Sequence, residues 1–205
     1  RQDTGFYFGS TDDMPVVADF NGDGTDNSGI YRSASNLWVF RGLSRLYFGK
    51  TGDCPLSGDY DGDGTDEIGI YRSSSGLWGI RSVSRFYYGN ASDLPIPADY
   101  DGDGITDGGI FRDQSCLWAV RNITRRYFGS SGDFPQPYLC RGSGAAISVF
   151  RPESDLWAVA DRSRFYFGGW RDFPVTAPYY SSPPRLKKMG IEVPFYHRDP
   201  DHLEK

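Results

Sequence analysis

The chain has 205 residues, is 38% hydrophobic and 24% charged, and carries a formal net charge of −5. That length suits one or two domains, and no apolar run approaches the length of a membrane-spanning helix. Its core material is aromatic, with 14 Phe, 14 Tyr and 5 Trp set among 26 Gly and 13 Pro, which points to short strands and tight turns and away from a helical bundle or a collagen-like chain. The acidic balance argues against a protein that binds a nucleic-acid backbone. Cys54, Cys116 and Cys140 form neither a CxxC pair nor a zinc spacing, and no signal peptide or lipidation motif is visible.

Along the chain, Trp38, Trp78, Trp118 and Trp157 follow one another at intervals of 40, 40 and 39. An aromatic-Gly pair keeps step at Phe8-Gly9, Phe48-Gly49, Tyr88-Gly89, Phe128-Gly129 and Phe167-Gly168. Asp-x-Pro follows each pair, at Asp13, Asp53, Asp93, Asp133 and Asp172. Three markers with one period establish an internal repeat. The unit Arg85 to Thr124 predicts four strands, Phe86–Gly89, Ile96–Tyr100, Gly108–Arg112 and Leu117–Arg121, each bounded by turn residues. In the last of these Trp118 and Val120 share one face, while Leu117 and a small residue, Ala119, share the other. A strand of that kind suits a sheet stacked closely between two neighbours.

Four strands in about 40 residues are the signature of a β-propeller blade. The expectation is therefore an all-β chain forming a single small propeller domain over residues 1–205, with repeats at 5–44, 45–84, 85–124 and 125–163. Residues 164–205 open correctly with RFYFGGWRDFP and then lose the pattern. The reading favours five blades, the last a degenerate one with strands at Pro174–Tyr180 and near Ile191–Tyr196, closed by the N-terminal strand Phe6–Gly9. The alternative is four blades with a C-terminal tail.

Between the second and third strands of three units lie acidic loops: Asp19, Asn21 and Asp23 before Gly24; Asp59, Asp61 and Asp63 before Gly64; and Asp99, Asp101 and Asp103 before Gly104. Oxygen side chains at positions 1, 3 and 5 and a Gly at 6 suit calcium, which takes six to eight hard oxygen ligands. Two carboxylates about 5 Å apart repel by about 3 kcal/mol at an effective dielectric near 20, so such a loop favours a cation. Asp107 at position 9 completes the third set, whereas in the first two the aspartates Asp26 and Asp66 stand at position 8, with Asn27 and Glu67 at position 9. The sequence does not decide which of each pair turns inward. The fourth unit has Leu139, Arg141 and Ser143 where the acids belong, so three Ca2+ sites are expected. Asp133 and Arg151 persist there nonetheless, at the places of Asp13, Asp53, Asp93 and of Arg32, Arg72, Arg112. Their role is thus independent of the ion: a turn-capping Asp paired with Arg, or else a ring of Arg offering an anion or sugar site.

The segments ADFNGDGTDNSGIYR, GDYDGDGTDEIGIYR and ADYDGDGITDGGIFR resemble FG-GAP and VCBS repeats, which occur in integrin α-chain propellers, some fungal lectins and many bacterial surface or secreted proteins. The resemblance covers residues 5–163 well and 164–180 in part. It implies calcium in the DxDxDG loops, rigidifying the blades while ligands bind elsewhere.

The functional expectation is a calcium-stabilised binding module, secreted or at the cell surface, engaging a protein partner in adhesion or scaffolding. A calcium-dependent lectin with sugar sites between blades is the alternative. No nucleophile elbow, P-loop or Ser/His/Asp spacing occurs, and the only histidines, His197 and His202, lie near the C-terminus. The reading is accordingly non-enzymatic, with a carboxylate-based glycosidase or lyase as the weakest alternative.

Overall fold

The computed structural model describes residues 8–139 and 143–167. Among them are four antiparallel four-stranded sheets, one two-stranded ribbon, and a single short 3-10 turn at Asp113–Ser115. Blade 1 comprises β1 (Met14–Ala18), β2 (Asn27–Arg32), β3 (Leu37–Phe40) and β4 (Arg45–Tyr47). Blade 2 comprises β5 (Cys54–Gly58), β6 (Glu67–Arg72), β7 (Leu77–Ile80) and β8 (Ser84–Tyr87). Blade 3 comprises β9 (Asp93–Pro95), β10 (Gly109–Arg112), β11 (Leu117–Val120) and β12 (Thr124–Tyr127). In blade 4, β13 (Phe134–Pro135), β16 (Ser148–Arg151), β17 (Leu156–Val159) and β18 (Ser163–Tyr166) form the sheet. A ribbon of β14 (Tyr138–Leu139) and β15 (Ala145–Ala146) stands in place of an acidic loop.

The architecture is a β-propeller, as the period predicts, and its four-stranded sheets number four among the described residues, the count of the alternative. Of the residues assigned to a degenerate fifth blade, 164–205, those from 168 on lie outside the described residues, as do the first two of the closing strand Phe6–Gly9, while 164–166 belong to the last strand of blade 4. The phase of the blade differs from that of the sequence unit. Each aromatic-Gly strand pairs with the Trp strand before it, as Tyr87 opposite Leu77 shows, so a sheet runs from one Asp-x-Pro to the next aromatic-Gly pair. The strand expected at Ile96–Tyr100 is also broken. Its regular ladder is confined to Asp93–Pro95, with one further bridge between Ala98 and Asp107. Pro95 and Pro97 have no N–H to donate, whereas β1 and β5, with Val17 and Ser57 at the place of Pro97, continue to Ala18 and Gly58.

Consecutive sheets stack face to face. Tyr31 and Trp38 of blade 1 pack on Ile68, Ile70 and Leu77 of blade 2. Tyr71 and Trp78 pack on Ile110, Leu117 and Ala119 of blade 3, and Phe111 and Trp118 on Val149 and Ala158 of blade 4. Every blade thus has an aromatic trailing face and an aliphatic leading face. Trp38, Trp78 and Trp118 are each 0% exposed, so they are packing residues and not sugar-stacking platforms.

The three sequence markers meet at one corner. Trp38 donates its indole N–H to the carbonyl of Phe48 at 3.0 Å. Gly49 then turns at φ +100°, where a Cβ would lie 3.0 Å from Ile70. The buried Asp53 carboxylate accepts the Lys50 N–H at 2.8 Å and a forked pair of bonds from Arg72 Nε and Nη2, both 2.8 Å. The Asp13–Arg32, Asp93–Arg112 and Asp133–Arg151 pairs repeat the fork. The invariant Asp and Arg are therefore a turn cap and its partner within one blade.

Candidate functional site

Each acidic loop is folded by its own first aspartate. In the second loop Asp59 accepts the N–H groups of Gly62 and Gly64 at 2.6 and 2.9 Å, and Asp63 accepts that of Thr65 at 2.8 Å. In the third, Asp99 accepts from Gly102 and Gly104 at 2.6 and 3.0 Å, and Asp103 from Ile105 at 2.8 Å. In the first, Asp19 accepts from Gly22 and Gly24 at 2.8 and 2.7 Å. Asn21 donates its side-chain N–H to Asp23 at 2.9 Å.

Position 9 closes every loop in the same way. Asn27 accepts the Phe20 N–H, Glu67 the Tyr60 N–H and Asp107 the Tyr100 N–H, each at 2.9 Å. Carboxylate oxygens of Asp59, Asp61 and Glu67 consequently lie within 4.8 Å of one another, as do those of Asp99, Asp101 and Asp107. Asp66, one of the two residues the sequence leaves open for the second loop, has its carboxylate engaged elsewhere. It accepts the Asp19 N–H and returns its own N–H to the Asp19 carbonyl, both at 2.7 Å, so it belongs to the first loop's neighbourhood. Asp26, its counterpart in blade 1, is exposed, and Glu67 takes the inward place in blade 2. The first loop offers the amides of Asn21 and Asn27 where its neighbours offer carboxylates. In the fourth unit the side chain of Leu139 and residues 140–142 lie outside the described residues.

The loops lie on the seams between blades, which the sequence did not signal. The Thr106 N–H of blade 3 donates to the Asp59 carbonyl of blade 2 at 2.6 Å, and the Ala145 N–H of blade 4 donates to Asp99 of blade 3. A Cβ on Gly62 would come 3.2 Å from Ile105 of the next blade, and one on Gly102 3.1 Å from Gly144. Each loop therefore bears directly on its successor.

The electrostatics fit a hard cation. Burial, and then the charges of Asp101, Asp103 and Asp99, push the Asp107 carboxyl up to about 6. Burial and the same kind of crowding by Asp61, Asp63 and Asp59 raise Glu67. Burial works against ionisation of Asp19 too, yet the N–H groups of Gly24, Gly22, Asn21 and Asp23 hold it below the usual carboxylate range. All-oxygen donor sets, lacking thiol or imidazole, suit calcium and not zinc.

A second feature lies at the opposite ends of the strands. Arg45-x-Tyr47, Arg85-x-Tyr87, Arg125-x-Tyr127 and Arg164-x-Tyr166 run along the outermost strand of each blade. The four tyrosines are 72%, 67%, 72% and 74% exposed. Neighbouring exposed positions vary, as in Lys50, Asn90 and Ser130. At the seam of blades 2 and 3 a cleft of about 200 Å3 is lined by Tyr88, Leu117, Arg112 and Arg125 among others. Arg112 spends Nε and Nη2 on Asp93, which leaves its Nη1 donors without a partner among the described residues.

No protein-family model matches the sequence, and no curated protein matches it. Among solved structures, two crystal structures of BBS1N in complex with ARL6DN, one soaked with mercury and one with lead, are similar to this chain. Their TM-scores are 0.46 and 0.45 at 10% identity. Each similarity covers 76% of this chain and 54% of the other, so this chain spans about half the length of those it matches. No helix among the described residues is long and apolar enough to cross a membrane.

Proposed function

We propose that this propeller is a calcium-stabilised binding module that works outside the cell or on its surface and engages a protein partner. The observation that carries the binding reading is the exposed Arg-x-Tyr repeated on all four blades. Arg and Tyr are the residue types enriched among interface hot spots, and none of the four tyrosines is needed in the core. Calcium belongs to the other end of the strands. Asp59, Asp61, Asp63 and Glu67 would hold one ion and Asp99, Asp101, Asp103 and Asp107 a second. Asp19, Asn21, Asp23 and Asn27 would hold a third more weakly. Bound there, calcium would neutralise crowded carboxylates and lock each loop against the next blade. Its effect on partner binding is then indirect, through the rigidity of the disc. Calcium availability points to export, since extracellular modules bind it with dissociation constants of about 10⁻⁴–10⁻³ M.

The cleft between blades 2 and 3 favours a second reading, a lectin. Its volume of about 200 Å3 suits a single sugar ring, Tyr88 offers apolar contact, and the two arginines suit an acidic substituent. Capture of partners from extracellular fluid, run beside a glycan panel, separates the two readings. The protein-partner reading predicts a captured protein whose binding falls at least tenfold in Arg85→Ala/Tyr87→Ala and Arg125→Ala/Tyr127→Ala variants of unchanged Tm. Binding to sugars alone supports the lectin, and binding that ignores both variants contradicts the assignment of this rim.

A further inference from the structure

The outermost strand of each blade has a hydrogen-bonded neighbour on one side only among the described residues. Backbone alternation decides which of its residues face the bare edge. In β12, Arg126 stands opposite Trp118, and the N–H of the next inward residue, Phe128, donates to the Cys116 carbonyl at 2.9 Å. Inward and outward residues alternate in an antiparallel ladder, so the N–H and C=O of Arg125 and Tyr127 point away from the sheet. Phe48, Tyr88 and Phe167 donate inward in the same way, to Asn36, Gly76 and Asp155 at 3.0, 2.8 and 3.1 Å. The outward residues are therefore the Arg and the Tyr of every Arg-x-Tyr motif. No hydrogen bond among the described residues reaches their outward backbone groups.

The two side chains also share one face, Arg125 opposite Ala119 and Tyr127 opposite Leu117. The arginine of each motif is exposed and has no ion-pair partner among the described residues, whereas Arg112 and Arg126 each hold an aspartate. The four strands, RLY, SRFY, TRRY and SRFY, contain no acid. Arginine on an edge strand deters pairing with a second copy, because like charges would stand opposite one another. It leaves an acidic strand admissible, and the exposed Tyr two residues on offers that strand a β-branched or aromatic contact.

We infer that an extended acidic segment of a partner protein adds to these edges as a fifth strand. The inference rests on the reading of the Arg-x-Tyr rim as a partner surface and specifies how the partner is held. Arg125 and Tyr127 each exchange backbone N–H and C=O bonds with a residue of the added strand. Main-chain bonds of this kind supply affinity, and the side chains that face one another supply selectivity. A Glu or Asp belongs opposite the Arg, and a β-branched residue, two positions away, opposite the Tyr. Each edge is only three or four residues long, so a single contact is weak, and a partner with several such segments gains by engaging several blades at once.

Fluorescence anisotropy with the full chain and a labelled peptide of repeating Glu-Thr-Val-Thr tests this. The wild type should bind that peptide, and should bind one with Lys in place of Glu roughly tenfold more weakly. Backbone N-methylation at the Glu and Val positions removes the N–H groups that meet the edge and should weaken binding by about tenfold, whereas N-methylation at the Thr positions should change it by less than about twofold. Arg45→Glu/Arg85→Glu/Arg125→Glu/Arg164→Glu protein, its fold checked by circular dichroism, should prefer the Lys peptide. Arg85→Glu/Arg125→Glu, with a partial reversal, replaces it if the fourfold variant fails to fold. A wild type that ignores the Glu peptide at millimolar concentration overturns the inference, whether its edges stay bare or are filled by a second copy or by residues 168–205. Binding that is indifferent to the placement of N-methyl groups overturns it as well. Capture of a protein that needs Arg85 and Tyr87, by a chain that leaves the peptide unbound, sinks strand addition alone and spares the rim; capture that ignores both residues sinks the rim reading with it.

Discussion

The Asp–Arg fork shows how little of this chain's charge is ornamental. Asp53 is nearly inaccessible while Arg72 reaches solvent, so removing the arginine leaves a buried carboxylate with only the Lys50 N–H. Arg72→Ala should cost roughly 3 kcal/mol, read from the denaturant midpoint. Arg72→Lys should recover only part of it, because an ammonium cannot reproduce the planar fork. Asp107 behaves in the opposite sense. Without a metal, burial and the neighbouring aspartates push its carboxyl up to about 6, from an ordinary value of 3.8. The folded state thus holds the proton more tightly than the unfolded chain, and its stability falls as pH rises through that window. Thermal unfolding in chelator should show this decline between about pH 4 and 6, and Asp107→Asn should flatten it. A decline that persists unchanged in Asp107→Asn would place its origin in another group.

At the scale of elements, stability is concentrated where the Trp strand of one blade meets the aliphatic face of the next. Trp78→Ala should cost about 3–5 kcal/mol, and Trp157→Ala distinctly less, since its outer face is only half covered. Equal losses in chemical denaturation would mean that the fourth trailing face is as well packed as the others. Much of this was legible in the sequence: the Trp period, the aromatic-Gly corner and the alternation of large and small residues in the Trp strand each report a local requirement. The phase of the sheets was not legible, because Tyr87 is equally a credible first strand of one unit and last strand of another until pairing selects Leu77 as its neighbour. Nor was the inward ligand at positions 8 and 9. Asp66 turns away because Asp19, 47 residues earlier, offers it a backbone donor, and that contact exists only once two blades have stacked. The interruption at Pro97 could have been read from the missing N–H alone.

For the molecule as a whole, the net charge of −5 hides a division of labour. Twelve of the 27 acidic residues lie in or beside the three loops, and the other 15 face 22 Lys and Arg. Three bound Ca2+ would bring the total to +1, a mildly basic disc suited to acidic partners. Ligand charge tunes calcium affinity, so titration calorimetry should resolve two tighter sites in blades 2 and 3 and a weaker one in blade 1. Three equivalent sites would contradict that ranking. The central claim is that calcium in these loops holds successive blades together. Its most direct measurement is thermal unfolding of the full chain in calcium, in magnesium and in chelator. At free calcium ten times the dissociation constant each site contributes about 1.4 kcal/mol, or about 4 for three. The account predicts a clear rise in Tm with calcium, little with magnesium, and loss of the rise in Asp59→Asn/Asp99→Asn protein. A midpoint that is the same in calcium and after thorough chelation would contradict it.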